Sequence, residues 1–450
     1  MKSILWITAL TAGSLMLLAQ KDFSGVITKS GALPAIAVPD FRGDSGAQPF
    51  MAAFNQTLWR DLEGSAIFNM LPKTSYPLTV PQQISDLKPP GQTAGGLSMS
   101  DWSSPPTKAN YLTMGYSAVQ NNLFVVRGWL ADLGVSSPAN AAALTKTYAE
   151  SLDEAGARKA AHEFAADILA RFGASSLFGS HIYFTRKSGT LKDPVAEIWV
   201  MDPDGSNQRQ VTHFNALSDF PSVAPDGSKI AFTSWVRGNP GIFIFSVDPV
   251  RDLRFYNQRG VSVTASPAFT PDGKQVVFMS SAAGCCRIFA ANLDGTGVRA
   301  VSTSSAIDAE PKVNPKNGTE LVFTSGRSGP QQIYRMNLDG TDVQKLSDGT
   351  GEASNPSWHP DGQLIAFAWT RGYMAGAFNI FMMNVATGKT DQLTHGEGKN
   401  ENPSWAPDGK HLVFMSTRTG SSQIFSMLAD GTQVQQLTTQ GSNLHPVWGK

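Results

Sequence analysis

The feature that most constrains this chain is a repeat of about 45 residues, a period that belongs to blade-like architectures. Ala-Pro-Asp-Gly-Ser stands at Ala224–Ser228, and its relatives follow at Thr270–Lys274, Asn314–Gly318, His359–Gln363 and Ala406–Lys410. The prolines Pro225, Pro271, Pro315, Pro360 and Pro407 are spaced 46, 44, 45 and 47 residues apart. A further proline lies four residues before each of them, at Pro221, Pro267, Pro311, Pro356 and Pro403, and Pro446 opens another copy. Behind each turn runs an apolar segment with phenylalanine at a fixed place, giving Phe184, Phe232, Phe278, Phe323, Phe367 and Phe414. A third segment starts at Ile198, Ile242, Ile288, Ile333, Ile380 and Ile424, and Asp-Gly pairs follow at residues 204, 294, 339 and 430. Asp-Gly suits a tight hairpin because the residues there take positive φ.

Four short strands per repeat describe a β-propeller blade. The first unit, from His181, lacks an innermost strand, whereas Leu444–Trp448 is an innermost strand without a blade. Joining the two leaves no open edge. The predicted fold is mainly β: a six-bladed β-propeller closed by the C-terminal strand, preceded by a small α/β domain.

The first third of the chain lacks the repeat. Met1-Lys2 and the uncharged run Ile4–Ala19 predict a secretory signal peptide, residues 1–19, too short for a membrane span. No cysteine lies near the cleavage point, which argues against a lipid anchor. Residues 20–33 read as a flexible N-terminal segment, 34–173 as the α/β domain and 174–450 as the propeller. Within the α/β domain, Ala35–Val38 predicts a strand. Phe50, Phe54, Leu58 and Leu62 mark an amphipathic helix over Gln48–Glu63. Ala66–Leu71 reads as extended, 72–106 as a long Pro/Gly/Ser-rich loop, and Tyr111–Tyr116 with Leu123–Leu130 as a hairpin. Ser151–Phe172 reads as a second helix, stopped by Gly173.

Charge narrows the function. Lys+Arg and Asp+Glu each number 36, so no positive field exists for nucleic acid. The two cysteines, Cys285 and Cys286, are adjacent and give neither a disulfide framework nor a four-Cys zinc site. They read as packed thiols, with a vicinal disulfide as the alternative. A G-x-S-x-G elbow is absent. His162-Glu163 begins like H-E-x-x-H, but the closing position is Ala166, so His162 reads as a helix-face residue. Asp202–Ser206 has the look of a calcium loop without its bidentate Glu and falls where other repeats have a hairpin. Val223, Phe269, Val313, Trp358, Trp405 and Trp448 recur in register and read as blade packing. No catalytic residue, metal site or cofactor is predicted.

The sites worth weighing are those where the repeat varies on a fixed frame. In a propeller the loop leading into each innermost strand sits at one mouth of the central channel. Those positions are Asp219 and Phe220, Thr264 and Ser266, Asp308 and Glu310, Ser354 and Asn355, Glu401 and Asn402, and Asn443 and His445. They form a ring of acids, amides and hydroxyls fit to meet a polar or basic partner loop, or to hold a cation. The plain alternative is a set of solvated turns.

Two segments add a resemblance: Phe23–Ile27, and Pro34-Ala35-Ile36-Ala37-Val38-Pro39-Asp40-Phe41. With the signal, the α/β domain and the P-x-[WF]-x-P-D-G repeats, the chain resembles the TolB family, periplasmic propeller proteins of the Tol–Pal cell-envelope system. The resemblance implies a non-enzymatic, monomeric periplasmic interaction protein that supports outer-membrane integrity and constriction at division. Its propeller mouth would bind the peptidoglycan-associated lipoprotein Pal. Its N-terminal segment, with Phe23, Val26 and Ile27, would engage the inner-membrane protein TolA. The competing reading is a periplasmic propeller enzyme, lactonase- or hydrolase-like, with a metal or carboxylate site in the channel.

Overall fold

The computed structural model describes residues 33–91, 95–189, 194–247, 250–256 and 263–450, with the strand at 250–256 described through its backbone. The signal peptide and Phe23, Val26 and Ile27 lie outside the described residues. Two compact units divide between Phe178 and Gly179.

The N-terminal unit is built on one mixed sheet. Its strand order is Asn69–Met70, Ala35–Ala37, Tyr111–Gln120, Leu123–Asp132 and Ala142–Ser151, with Arg42–Gly43 also paired to Tyr111–Gln120. Alternation along Leu123–Asp132 sends Phe124, Val126 and Leu130 to one face and Trp129 and Ala131 to the other. The first face packs against helices α1 (Met51–Gly64) and α3 (Glu154–Arg171) through Phe54, Leu58, Phe164 and Ile168. Two glycines opposite each other in the sheet, Gly115 and Gly128, make this packing fit. A Cβ on Gly128 would stand 2.8 Å from the Phe164 ring, and one on Gly115 would stand 2.3 Å from Phe41. The second face is covered by the segment read as a loop, which contains helix α2 (Met99–Ser103) and buries Met99 and Trp102.

Several boundaries differ from the sequence reading. The hairpin is longer, with a two-residue turn at Asn121 and Asn122, both at positive φ (50° and 62°). Ala66–Leu71 is strand only at Asn69–Met70, and Ala66 has φ 54°. Helix α3 starts after Asp153, whose carboxylate caps the Gly156 N–H at 2.7 Å.

The propeller has six four-stranded sheets. Five are formed in sequence order, from Ser218–Val223, Lys229–Ser234, Gly241–Val247 and Val250–Tyr256 to Asn400–Trp405, His411–Ser416, Gln423–Leu428 and Gln435–Gln436. The sixth joins Ser442–Gly449 to His181–Gly189, Pro194–Met201 and Arg209–Gln210. The C-terminal strand therefore supplies the inner edge of the first blade. Trp448 anchors it, donating its indole N–H to the Ser180 hydroxyl at 3.0 Å.

Each apolar cluster bridges neighbouring blades: Ala231, Ile242 and Ile244 pack with Phe269, Val276 and Phe278. Phe184, Phe232, Phe278, Phe323, Phe367 and Phe414 all have no exposed surface. The Asp-Gly turns carry glycine by necessity. Gly340 has φ 89°, and a Cβ there would lie 2.2 Å from the Val301 carbonyl oxygen.

Candidate functional site: the propeller channel

Every innermost strand has the same defect in its ladder. Register shifts between Asp219 and Ser222, and at the matching place in the other five blades. Within each shift one non-glycine residue takes positive φ: Phe220 (54°), Ser266 (52°), Glu310 (53°), Asn355 (55°), Asn402 (53°) and His445 (46°). Each precedes a proline that cannot continue the ladder. The left-handed turn re-aims the side chain, so all six line a central cavity of about 240 Å³. A left-handed non-glycine residue costs on the order of 1 kcal/mol, and six at one ring mark a built feature.

The bulge sorts the twelve candidate positions. Phe220, Ser266, Glu310, Asn355, Asn402 and His445 face the channel and are half-buried. Asp219, Thr264, Asp308, Ser354, Glu401 and Asn443 are not in its wall. Thr264, Asp308 and Asn443 have no exposed surface and Ser354 has 7%, so their side chains serve the fold. Asp308 accepts from Ser325 Oγ at 2.6 Å and receives the Arg327 guanidinium on both oxygens at 3.0 Å. Asn400 and Asn443 take the same place under Arg418 (3.1 Å) and Arg186 (2.9 Å). Each arginine also lies over aromatic rings of its blade, Arg327 5.0 Å from Tyr334, Arg418 5.0 Å from Phe425 and Arg186 4.1 Å from Trp199. Glu401 pairs with Lys399 at 2.9 Å.

At the ring, Glu310 reaches the next blade. It accepts from Thr324 Oγ1 at 2.7 Å and from the Asn355 N–H and Nδ2 at 2.8 and 2.7 Å. Three of its roughly four acceptor positions are thereby taken. Across the closure seam, His445 Nδ1 contacts Asp219 Oδ1 at 2.5 Å, and its ring lies 4.2 Å from that of Phe220. Burial works against the Asp219 carboxylate, but the His445 charge and hydrogen bond, with help from Thr185, hold it below its usual range.

The next inward-facing positions are Ser222, Ala268, Lys312, Ser357, Ser404 and Val447. Lys312 is the one charged residue in this layer, and the sequence reading passed over it. The available signal was its break from a series of small or apolar residues. Its ammonium makes no hydrogen bond or ion pair among the described residues. Burial pushes it down from the ordinary lysine range, partly offset by Glu310. One step further, Val223, Phe269, Val313, Trp358, Trp405 and Trp448 close the wall. Trp358 donates its indole N–H to the Lys312 carbonyl at 2.9 Å.

The remaining candidates have ordinary surroundings. His162 contacts Asp61 at 2.6 Å and stacks on Phe178. Asp202–Ser206 is a hairpin turn in which Ser206 N–H bonds Asp204 at 2.9 Å. Cys285 and Cys286 are half-buried free thiols, and burial pushes the Cys286 thiol up. Among the described residues no cluster of three or more His, Cys, Asp or Glu could hold a metal.

A profile of the TolB beta propeller domain matches residues 172–372 and 346–450, more than half of the chain. The chain belongs to that family. A protein TolB homolog of Chlorobium luteolum is 34% identical over 173 residues, 38% of this chain and 37% of that protein. The Tol-Pal system protein TolB of Dinoroseobacter shibae is 28% identical over 227 residues, 50% of this chain and 47% of that protein. The matched stretches thus span less than half the length of either relative. The crystal structure of TolB from Acinetobacter baumannii superposes with a TM-score of 0.75 at 22% identity, covering 93% of this chain and 97% of that one. That likeness concerns the fold.

Proposed function

We propose that this chain is a periplasmic, non-enzymatic interaction protein of a Tol–Pal cell-envelope system. Its propeller mouth receives the peptidoglycan-associated lipoprotein Pal, and its N-terminal segment, residues 20–33, reaches the inner-membrane protein TolA. Through these two contacts it supports outer-membrane integrity and constriction at division. The observation that carries the reading is the ring of six left-handed residues. It presents five kinds of side chain from six blades (phenyl, hydroxyl, carboxylate, two amides and imidazole) on one rigid rim. Blade-by-blade variation on a repeated backbone suits recognition of one asymmetric protein loop. Family membership and the names of the relatives supply the partner's identity.

The test is calorimetric titration of residues 20–450 with the soluble domain of Pal from the same cell. Saturable one-to-one binding, abolished by Asn402→Trp at the rim and retained in Glu401→Gln outside the wall, is the expected result. No binding to Pal, or binding indifferent to Asn402→Trp, overturns the reading. Deleting residues 20–33 should change Pal affinity if the two contacts are coupled.

A further inference from the structure

The channel layer beneath the rim holds the Lys312 ammonium, which makes no hydrogen bond or ion pair among the described residues and feels the Glu310 charge only at longer range. Lys312 replaces what is serine, alanine or valine in the other five blades, so the backbone does not require a long side chain there. Packing does not require it either, because small residues fill the same position at Ser222, Ala268, Ser357 and Ser404. An ammonium withdrawn from bulk water with no carboxylate in contact is destabilising, and a fold rarely keeps one without use. The nearest carboxylate, Glu310, spends its oxygens on Thr324 and Asn355 rather than on Lys312.

We propose that Lys312 makes the propeller channel a receptor for a single carboxylate. The inference deepens the Tol–Pal reading and rests on it only for who brings that carboxylate: an Asp or Glu side chain at the tip of a partner loop. The cavity, about 240 Å³, is ringed by all six innermost strands. That is room for one slender side chain and its hydration, not for a folded element. Because Glu310 is held to Thr324 and Asn355, the ammonium keeps a contact position open that one carboxylate can fill. A phosphate monoester, at about −1.5 to −2, would meet roughly twice the repulsion from Glu310 that a single carboxylate meets. The carboxylate would sit on Lys312, with the Ser222, Ser357 and Ser404 hydroxyls in the same layer and the Asn402 amide and His445 ring above it. Asp-to-Lys pairing in this half-closed space is stronger than on an open surface.

The experiment titrates the intact protein, at fixed ionic strength, with two probes: sodium acetate, and the peptide acetyl-Gly-Asp-Gly-amide beside its Asn counterpart. Binding is followed by calorimetry and by the fluorescence of the channel tryptophans. Saturable binding of a carboxylate probe, weakened at least tenfold in Lys312→Met and kept within threefold in Lys312→Arg, is the expected result. Preference for the peptide over acetate identifies a protein side chain as the source, and equal binding identifies a free carboxylate. Absence of saturable binding in the wild type, or equal binding by a folded Lys312→Met, overturns the site. If the probes bind and Pal does not, the Tol–Pal reading falls and the site stands. If Pal binds equally to wild type and Lys312→Met while neither probe binds, the site falls and the Tol–Pal reading stands.

Discussion

Removing Arg327 tests whether Asp308, an acid at the channel mouth in sequence, is in fact part of the framework. The Asp308 side chain has no exposed surface, and Arg327 is 22% exposed. Arg327→Met would leave the buried carboxylate with the Ser325 hydroxyl as its remaining side-chain donor. Stranding one member of a buried pair costs about 3–5 kcal/mol. Water entering where the partly exposed guanidinium stood keeps the loss toward the lower end, about 3–4 kcal/mol. For a propeller of roughly 270 residues, that lowers Tm by about 6–8 °C. Asp308→Asn should cost less than about 1.5 kcal/mol, because Asn400 and Asn443 already occupy this place under Arg418 and Arg186. The double variant should recover at least half of the single-variant loss. Calorimetric melting of all four proteins at pH 7 provides the assay. An Arg327→Met loss under about 1 kcal/mol, or an Asp308→Asn loss equal to it, would refute the reasoning.

Four further outcomes follow from the same geometry. The depressed Lys312 ammonium means the unfolded chain holds that proton more tightly, so wild-type stability should rise relative to Lys312→Met as pH climbs toward 10.5; parallel urea-unfolding curves would refute this. Asp219, held below 3.8, contributes stability above that value that is lost as pH falls through its lower folded value, so Asp219→Asn should flatten the acid limb of a melting series. At the left-handed Asn402, Asn402→Gly should be neutral within about 0.5 kcal/mol, whereas Asn402→Val should cost about 1–2 kcal/mol, both read by chemical denaturation. Deleting residues 442–450 removes the inner edge of the first blade and should leave a chain that elutes as aggregate in size-exclusion chromatography.

The propeller was legible because each blade solves the same packing problem, so Phe184 and its five counterparts recur at nearly constant spacing. The C-terminal closure could be deduced by counting strands. The bulge was half-visible: the prolines marked it, but which flanking side chain enters the channel depends on the sign of one φ angle, which no composition rule reports. That is why the rim residues Glu310 and Asn402 and the buried Asp308 and Asn443 looked alike in sequence. In the N-terminal unit, Ala142–Ser151 escaped notice because it is an edge strand in which Tyr148 is the one buried residue, too weak an alternation to read. Helix α2 had its signal in Ser98 and Asp101, a capping box, but lay within a stretch whose Pro and Gly content drew the reading toward loop.

The seam between Ser442–Gly449 and His181–Gly189 also sets an order of events in the life of the chain. His181 lies more than two hundred residues before its partner strand, so until residues 442–449 dock the first blade has a bare inner edge. The ring becomes topologically complete only when residues 442–449 arrive, and a chain interrupted before then carries a sticky margin at each end of a crescent. Closure therefore couples ring and rim: the rim that presents Phe220 against His445 comes into being at the same moment as the ring itself.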